Sequence, residues 1–290
     1  MKHGLHEECF AKWFEIQNPL CDFENITLKQ ASKEPTKSDI GRMNTSFFHG
    51  AFKKYSAEIE GQHYILKVSQ NDFPELPLVE WISNKIANLI GLKTADFYLI
   101  RLGNVQKTFV TKNFITSKNQ AMNLVHIYHF LTNDEVYNCE NILKVVNEKS
   151  GKLADVKEII YMCLFDALIG NHDRHGRNIA LIQTGPSNYT LSPTYDNPSY
   201  IGIESEFLLQ ADLNPKGKIF TMDSSEPTLK DYLIEFSRLG HQEMCKEFIS
   251  ITNKKWDQIL STIEKSELSD HRKTAFKKIL NKRKMELKLE

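Results

Sequence analysis

The chain lacks any apolar run of the roughly 18 residues that a membrane-crossing helix needs, so neither a membrane span nor a membrane partner is expected. Surplus charge of one sign is missing too. Its 290 residues carry 37 Lys+Arg against 37 Asp+Glu, whereas a protein built to neutralise a nucleic-acid backbone needs a large excess of Lys and Arg. Direct nucleic-acid binding is therefore not expected, and any phosphate chemistry must be local. Cys9, Cys21, Cys139, Cys163 and Cys245 are odd in number, scattered and never spaced C-x-x-C. That pattern excludes a disulfide framework, a zinc knuckle and a redox pair. With 13 Gly and 9 Pro the chain has too few of either for a collagen-like or low-complexity protein. The opening Met1 to Glu8 has one lysine and no apolar run behind it, so no signal peptide is expected and the expected location is cytoplasmic, with export by a dedicated secretion system left open.

What is present is a globular composition. Hydrophobic residues make up 41% and aromatic residues 10%, enough for a core in one or two domains, or in one domain of two lobes. No internal repeat is visible, but the character changes near residue 116. Before it, Thr45 to Ile59 and His63 to Val68 read as extended runs joined at Glu60-Gly61-Gln62. Val79, Ile82, Ile86, Leu89 and Ile90 then recur at helical spacing up to Gly91. Ala95 to Leu102 and Val105 to Ile115 read as a second hairpin around Gly103-Asn104. After residue 116 helix dominates, beginning around Leu124 to Leu131. From Asp155 it strengthens, where Val156, Ile159, Ile160, Cys163, Leu164, Ala167 and Leu168 form an apolar face ending at Gly170. Ile179 to Ile182 and Tyr189 to Leu191 read as a small hairpin, and helix returns from about Thr228. The Lys/Arg-rich stretch His271 to Glu290 keeps Phe276, Ile279, Leu280 and Leu287 on one side, which marks a packed amphipathic helix with a solvated basic face. The expected organisation is α+β and bilobal: residues 1–115 a β-rich lobe, residues 116–290 a helical lobe.

The chemistry concentrates in Gly170-Asn171-His172-Asp173-Arg174-His175-Gly176-Arg177-Asn178, a loop following the strongest helix. An Asp and an Asn five residues apart can divide the work of phosphoryl transfer. Asp173 would accept a hydroxyl proton, and the amide oxygen of Asn178 would supply a hard ligand to Mg²⁺. Asp196, beyond the small hairpin, offers a metal-holding carboxylate. Lys67 on an extended run and Glu80 on the next helix complete the serial layout of a two-lobed kinase, with the lysine reaching ATP phosphates and the glutamate pairing with it.

These stretches resemble the HipA-like serine/threonine kinases, the family of toxin kinases from bacterial toxin–antitoxin systems and their smaller relatives. The resemblance rests on His63-Tyr64-Ile65-Leu66-Lys67-Val68, Asp72-Phe73-Pro74-Glu75-Leu76, Glu80-Trp81, Ile90-Gly91-Leu92, Leu164 to Asn171 with Asp173, His175 and Asn178, and Leu191-Ser192-Pro193-Thr194-Tyr195-Asp196. It implies a protein-kinase-like fold that uses ATP and Mg²⁺. Lys67 would bind the phosphates, Asp173 would be the base, and Asn178 and Asp196 would hold the metal. His175 and Arg177 would lie beside the transferred phosphate, and the backbone of Lys112, Asn113 and Phe114 would meet adenine.

The same resemblance places a phosphate loop at Thr36 to Asn44, with Ser38 as an autophosphorylation target and Gly41 in the turn. Thr45 stands where a lysine is expected. The implied substrate is a protein, such as an aminoacyl-tRNA synthetase or another translation component. An antitoxin, or a separate polypeptide supplying an N-terminal subdomain, is the implied partner, because only some 35 residues precede this loop. Three other readings compete: a kinase-like protein that binds nucleotide without transfer, a phosphoinositide kinase, and a metal phosphohydrolase using His172-Asp173 with His126 or His129.

Overall fold

A computed structural model of the chain describes residues 1–28, 53–115, 122–132, 136–204, 207–213 and 218–287. The first half builds a five-stranded antiparallel sheet from β1 (Glu24–Leu28), β2 (Lys54–Ile59), β3 (Gln62–Val68), β4 (Phe97–Leu102) and β5 (Gln106–Lys112), ordered β1-β2-β3-β5-β4. Helix α1 (Glu7–Trp13) precedes the sheet, and α2 (Leu76–Leu89) runs between β3 and β4. The β2–β3 turn is tighter than its sequence suggests. Glu60 and Gly61 both take positive φ, 47° and 78°, the two-residue turn whose twist matches that of its strands, and Gln62 already pairs with Ile59. That register sets Lys54 directly opposite Lys67.

Alternation along β3 assigns its two faces. Tyr64 and Leu66 join Ala57, Ile59, Ile100 and Val110 beneath Phe10 and Phe14, so the N-terminal segment covers one side of the sheet. Lys67, one residue out of phase, points to the other side.

The second half is helical, with α3 (Cys139–Ser150), α4 (Leu153–Ile169), α5 (Leu229–Arg238), α6 (Gln242–Glu264) and α7 (Asp270–Glu286). Thr228 opens α5 with a reciprocal capping box to Asp231. Where the spacing predicts helix over Leu124 to Leu131, the chain instead forms β6 (Asn123–His126) and a 3₁₀ turn, Ile127–Phe130. Strand β6 pairs with β7 (Ala180–Gln183), which pairs with β8 (Tyr189–Leu191). A short apolar run fits either period, and tertiary pairing decides. The basic terminal helix α7 buries Ala275, Phe276, Ile279 and Leu280, as its amphipathic pattern requires. Among the described residues no helix is long and apolar enough to cross a membrane.

One core spans the helical half, and α2 belongs to it. Leu78, Val79, Ile82, Ile86 and Ile90 share a buried cluster with α4, α5 and α6. The approach is close enough that a Cβ on Gly202, in the 3₁₀ turn Tyr200–Gly202, would come within 2.7 Å of Leu76 Cδ1.

Candidate active site

The loop after α4 starts from a left-handed Gly170, φ 72°, which turns the chain sharply out of the helix. Its anchor is Arg174, 1% exposed. The guanidinium donates to Asp166 in the last turn of α4 (Nε to Oδ2, 2.7 Å; Nη2 to Oδ1, 2.9 Å). Its remaining N–H groups reach the Tyr195 carbonyl (2.7 Å), the Asn178 carbonyl (3.2 Å) and Asn197 Oδ1 (2.5 Å). A planar fork of five donors suits that many fixed acceptors. Asn171 lies between, giving an N–H to Asp166 (2.8 Å) and accepting the Asp173 backbone N–H (3.0 Å). Asn178 closes the loop by donating its amide to the Asp173 carbonyl, 2.8 Å.

Facing this loop, Lys67 Nζ pairs with Glu80 of α2 and, at 2.6 Å, with Asp196 Oδ1. Lys54 Nζ takes the other oxygen of Asp196 at 2.8 Å. Two lysines directly opposite on neighbouring strands repel each other unless an anion lies between them, and Asp196 is that anion. Burial alone would raise its carboxyl, but Lys54 and then Lys67 outweigh burial and hold it well below the usual range. Burial would likewise lower Lys67; Asp196 and Glu80 overcome it and raise the ammonium above its ordinary value. Asp196 sits at φ 50°, a left-handed conformation that a non-glycine residue keeps only when its surroundings hold it there.

Lys67, Glu80 and Asp196 are thus in direct contact, and Asp173 and Asn178 are joined through the loop. His175 Nε2 lies 3.9 Å from Asp173 Oδ1; burial pushes its imidazole down to about 3, so the ring is neutral. Arg177 is fixed by its main chain, its N–H donated to His175 Nδ1 (3.2 Å) and its carbonyl accepting from Tyr195 Oη (2.9 Å). The 112–114 segment divides. The N–H groups of Lys112 and Asn113 go to the carbonyls of Asp96 and His63, both 2.8 Å, and Lys112 Nζ pairs with Glu15 at 2.7 Å. Only Phe114 turns toward the loops, its ring 5.7 Å from that of Tyr195. Ser38 and Gly41 lie outside the described residues.

Reading the sequence alone misses Lys54, the Arg174–Asp166 pair, Asn84 and Asn197. Signals existed for two of them. A two-residue turn at Glu60-Gly61 fixes Lys54 opposite Lys67, and Asp166 is the sole ionic residue in Cys163 to Ile169.

The donor chemistry suits Mg²⁺. Asp196 offers carboxylate oxygens, and because the Asn178 nitrogen is committed to Asp173, its amide oxygen is the end left to accept. Among the described residues no three His, Cys, Asp or Glu side chains gather around a metal position. A cation held by one or two protein oxygens would be completed by phosphates and water.

A β-rich sheet and a helical half facing each other across a lysine–glutamate–aspartate cluster define an α+β, bilobal, protein-kinase-like fold. Solved structures share it: the Helicobacter pylori proinflammatory kinase CtkA superposes with a TM-score of 0.64 at 18% identity, over 80% of this chain and 90% of its own. HipA of the Shewanella oneidensis toxin–antitoxin system, solved with HipB and operator DNA, gives 0.60 at 15% identity, over 98% of this chain and 70% of its own. The chain belongs to the family of HipA-like C-terminal domains, which its residues 46–268 match. A Haemophilus influenzae protein named "Putative kinase" is 26% identical over 219 residues, 67% of this chain and 61% of that protein. "Putative kinase Y4dM" of Sinorhizobium fredii is 28% identical over 159 residues, 48% of this chain and 38% of its own. The chain therefore spans less than two thirds of the length of these curated relatives. Ser38 and Gly41 precede residue 46, where the family match begins.

Proposed function

We propose that this chain is an ATP- and Mg²⁺-dependent protein serine/threonine kinase. The observation that carries the reading is the Lys67 contact with both Glu80 and Asp196: the lysine proposed for the phosphates, its partner and the carboxylate proposed for the metal meet at one point. Mg²⁺, brought in with ATP and held by Asp196 and Asn178, would neutralise charge on the phosphates. Lys67 orients the nucleotide from β3. Asp173 accepts the proton of the serine or threonine hydroxyl as its oxygen bonds to the γ-phosphorus and ADP leaves. His175, neutral and buried, adds no charge beside Asp173. Arg177 lies one residue from Asn178 and neutralises the transferred group.

Lys54 takes the part first assigned to a lysine after Gly41. Gly50-Ala51-Phe52-Lys53-Lys54 has the glycine-then-lysine order that the phosphate loop calls for, and it falls inside the family match. Ser38 as a site of autophosphorylation remains a separate proposal, tested by mass spectrometry of wild type beside Asp173→Asn.

The substrate class is a protein of the translation machinery such as an aminoacyl-tRNA synthetase. A separate antitoxin is the proposed partner, by analogy with the HipA structure solved with HipB. Labelling a cell lysate with [γ-³²P]ATP tests the reading: bands should appear with wild type and be absent with Asp173→Asn. One observation favours a second reading, a nucleotide-binding protein without transfer. Both oxygens of Asp196 are already held by lysines, and Mg²⁺-dependent ATP binding with no labelled protein would establish that reading instead.

A further inference from the structure

Beneath the ionic cluster runs a second, uncharged connection between the same elements. Asn84 lies one helical turn after Glu80 on α2 and is 3% exposed; Asn197 follows Asp196 and is fully buried. Asn84 Nδ2 donates to the Glu80 carbonyl at 2.8 Å, and Asn197 Nδ2 donates to Asn84 Oδ1 at 3.0 Å. Asn197 Oδ1 in turn accepts from Arg174 Nη2 at 2.5 Å.

The direction of this chain is forced. A guanidinium can only donate, so Asn197 must present its oxygen to Arg174 and its nitrogen to Asn84. Asn84 must then present its oxygen to Asn197, and its nitrogen is left for a carbonyl, which can only accept. Each amide is oriented by a terminus of fixed polarity. No flipped arrangement keeps these buried groups satisfied, and an unsatisfied one is costly.

We infer that Asn84 and Asn197 are positioning residues for phosphoryl transfer. They tie the helix bearing Glu80 to the loop bearing Asp196 and, through Arg174, to the loop bearing Asp173. The left-handed backbone at Asp196 is a conformation that needs such support. Asn197 is the adjacent residue, and its side chain is held at both ends. The groups that must face one nucleotide are in this way set before it arrives, which is where positional precision yields rate. This inference rests on the kinase reading for its catalytic half. Its structural half stands on the nucleotide-free protein.

The test is a double-mutant cycle of Asn84→Ala, Asn197→Ala and the pair, read in two ways. In nucleotide-free protein, hydrogen exchange of the amides around Asp196 to Ser199 should accelerate about tenfold or more in each single variant and no further in the pair. In the active enzyme, kcat should fall about 10- to 100-fold, the usual range for residues that orient a metal ligand. The Mg²⁺ concentration for half-maximal nucleotide binding should rise, KM for ATP should change less than about threefold, and the double variant should be no worse than the poorer single one. Should an alanine variant not fold, Asn84→Ser or Asn197→Ser, too short to span the gap, replaces it. Wild-type exchange in the variants, or losses that simply add, overturns the inference. An inactive wild type overturns the kinase reading instead and leaves the exchange result to decide the bridge.

Discussion

The two faces of the five-stranded sheet are held by different physics. On the outer face, Phe10 and Phe14 meet at a tilt with centroids 4.8 Å apart, and Phe23 and Tyr64 pack edge to face with their neighbours at 5.3 to 5.9 Å, a cluster of apolar burial and ring geometry. On the inner face, Lys54 and Lys67 meet Asp196 and Glu80, with the buried Phe109 ring 5.9 Å from Lys67 Nζ. The element connecting β3 to β4 sides with neither, for α2 is buried in the core of the helical half. Glu80 is thus carried by the helical half and Lys67 by the sheet. Their ion pair spans the seam beside apolar packing, for Leu99 of β4 rests on the same helical core.

If the chemistry lies on the helical side of that seam and only nucleotide grip on the sheet side, the two loop carboxylates must differ from each other in a defined way. Asp173→Ala should lower phosphotransfer about 10²- to 10⁴-fold, the range lost with a general base, while ATP affinity changes little. Asp196→Ala should lose transfer and Mg²⁺-dependent ATP binding together. Calorimetric titration beside a transfer assay decides it, and equal loss of ATP affinity in both variants refutes the division.

The packing half of the comparison is sharpened by removing one side chain from each core. Ile82→Ala on α2 and Phe10→Ala on α1 should each cost about 2 to 5 kcal/mol, since both side chains are buried. Their reach should differ. Exchange of slow amides in α4 should accelerate with Ile82→Ala and hold near wild type with Phe10→Ala, whose effect should stay within β2, β3, β4 and β5. A shared response would mean that the outer cluster and the helical core unfold as one unit.

Elements with one strong periodic face were legible in the sequence: the helix from Leu76, the helix ending at Gly170 and both hairpins of the first half. What misled was local ambiguity settled at a distance. Leu124 to Leu131 fits a helical spacing, yet β6 exists because β7 lies beside it. Neither α1 nor β1 was anticipated: the apolar residues of α1 point into a cluster assembled from distant strands, and β1, exposed along its length, is held by its pairing with β2. In the candidate site, Lys67, Glu80, Asp173, Asn178 and Asp196 could be picked out by type and order along the chain. Residues set by tertiary position could not. Asn84 and Asn197 look like ordinary polar residues until the loops are folded, and Lys54 depends on a one-residue difference in the length of a turn.

Lys54 gives the next test. Because it fills one side of Asp196, Mg²⁺ alone should bind poorly, and nucleotide phosphates should be needed to draw Lys54 away. Lys54→Met should therefore bind Mn²⁺ without nucleotide more tightly than wild type, while ATP affinity falls about tenfold through loss of one charge-assisted phosphate contact. Paramagnetic resonance of Mn²⁺ reads the first effect and calorimetry the second. Unchanged metal binding would show that Lys67 alone governs the carboxylate.

The smallest effect lies at the far end of the seam, where Glu75, just before α2, receives Ser269 N–H and Oγ–H (2.9 Å from Oγ) and Arg272 Nε (2.8 Å) at the start of α7. Burial would raise this carboxyl, but the Ser269 amide and Arg272 together bring it below its ordinary 4.5. A carboxyl lowered by folding contributes stability that is complete above its unfolded value and is lost as pH falls through the lower folded one. The contribution should be about 1 kcal/mol, in line with a helix-capping contact. Wild type should thus lose that much stability to Glu75→Gln at neutral pH, and the gap should close as pH falls from 4.5 through the lower folded value and the wild-type carboxyl takes up its proton. Urea midpoints for both proteins between about pH 7 and 3 measure the convergence. A gap that stays constant across that range would mean that α2 and α7 are joined there by packing alone.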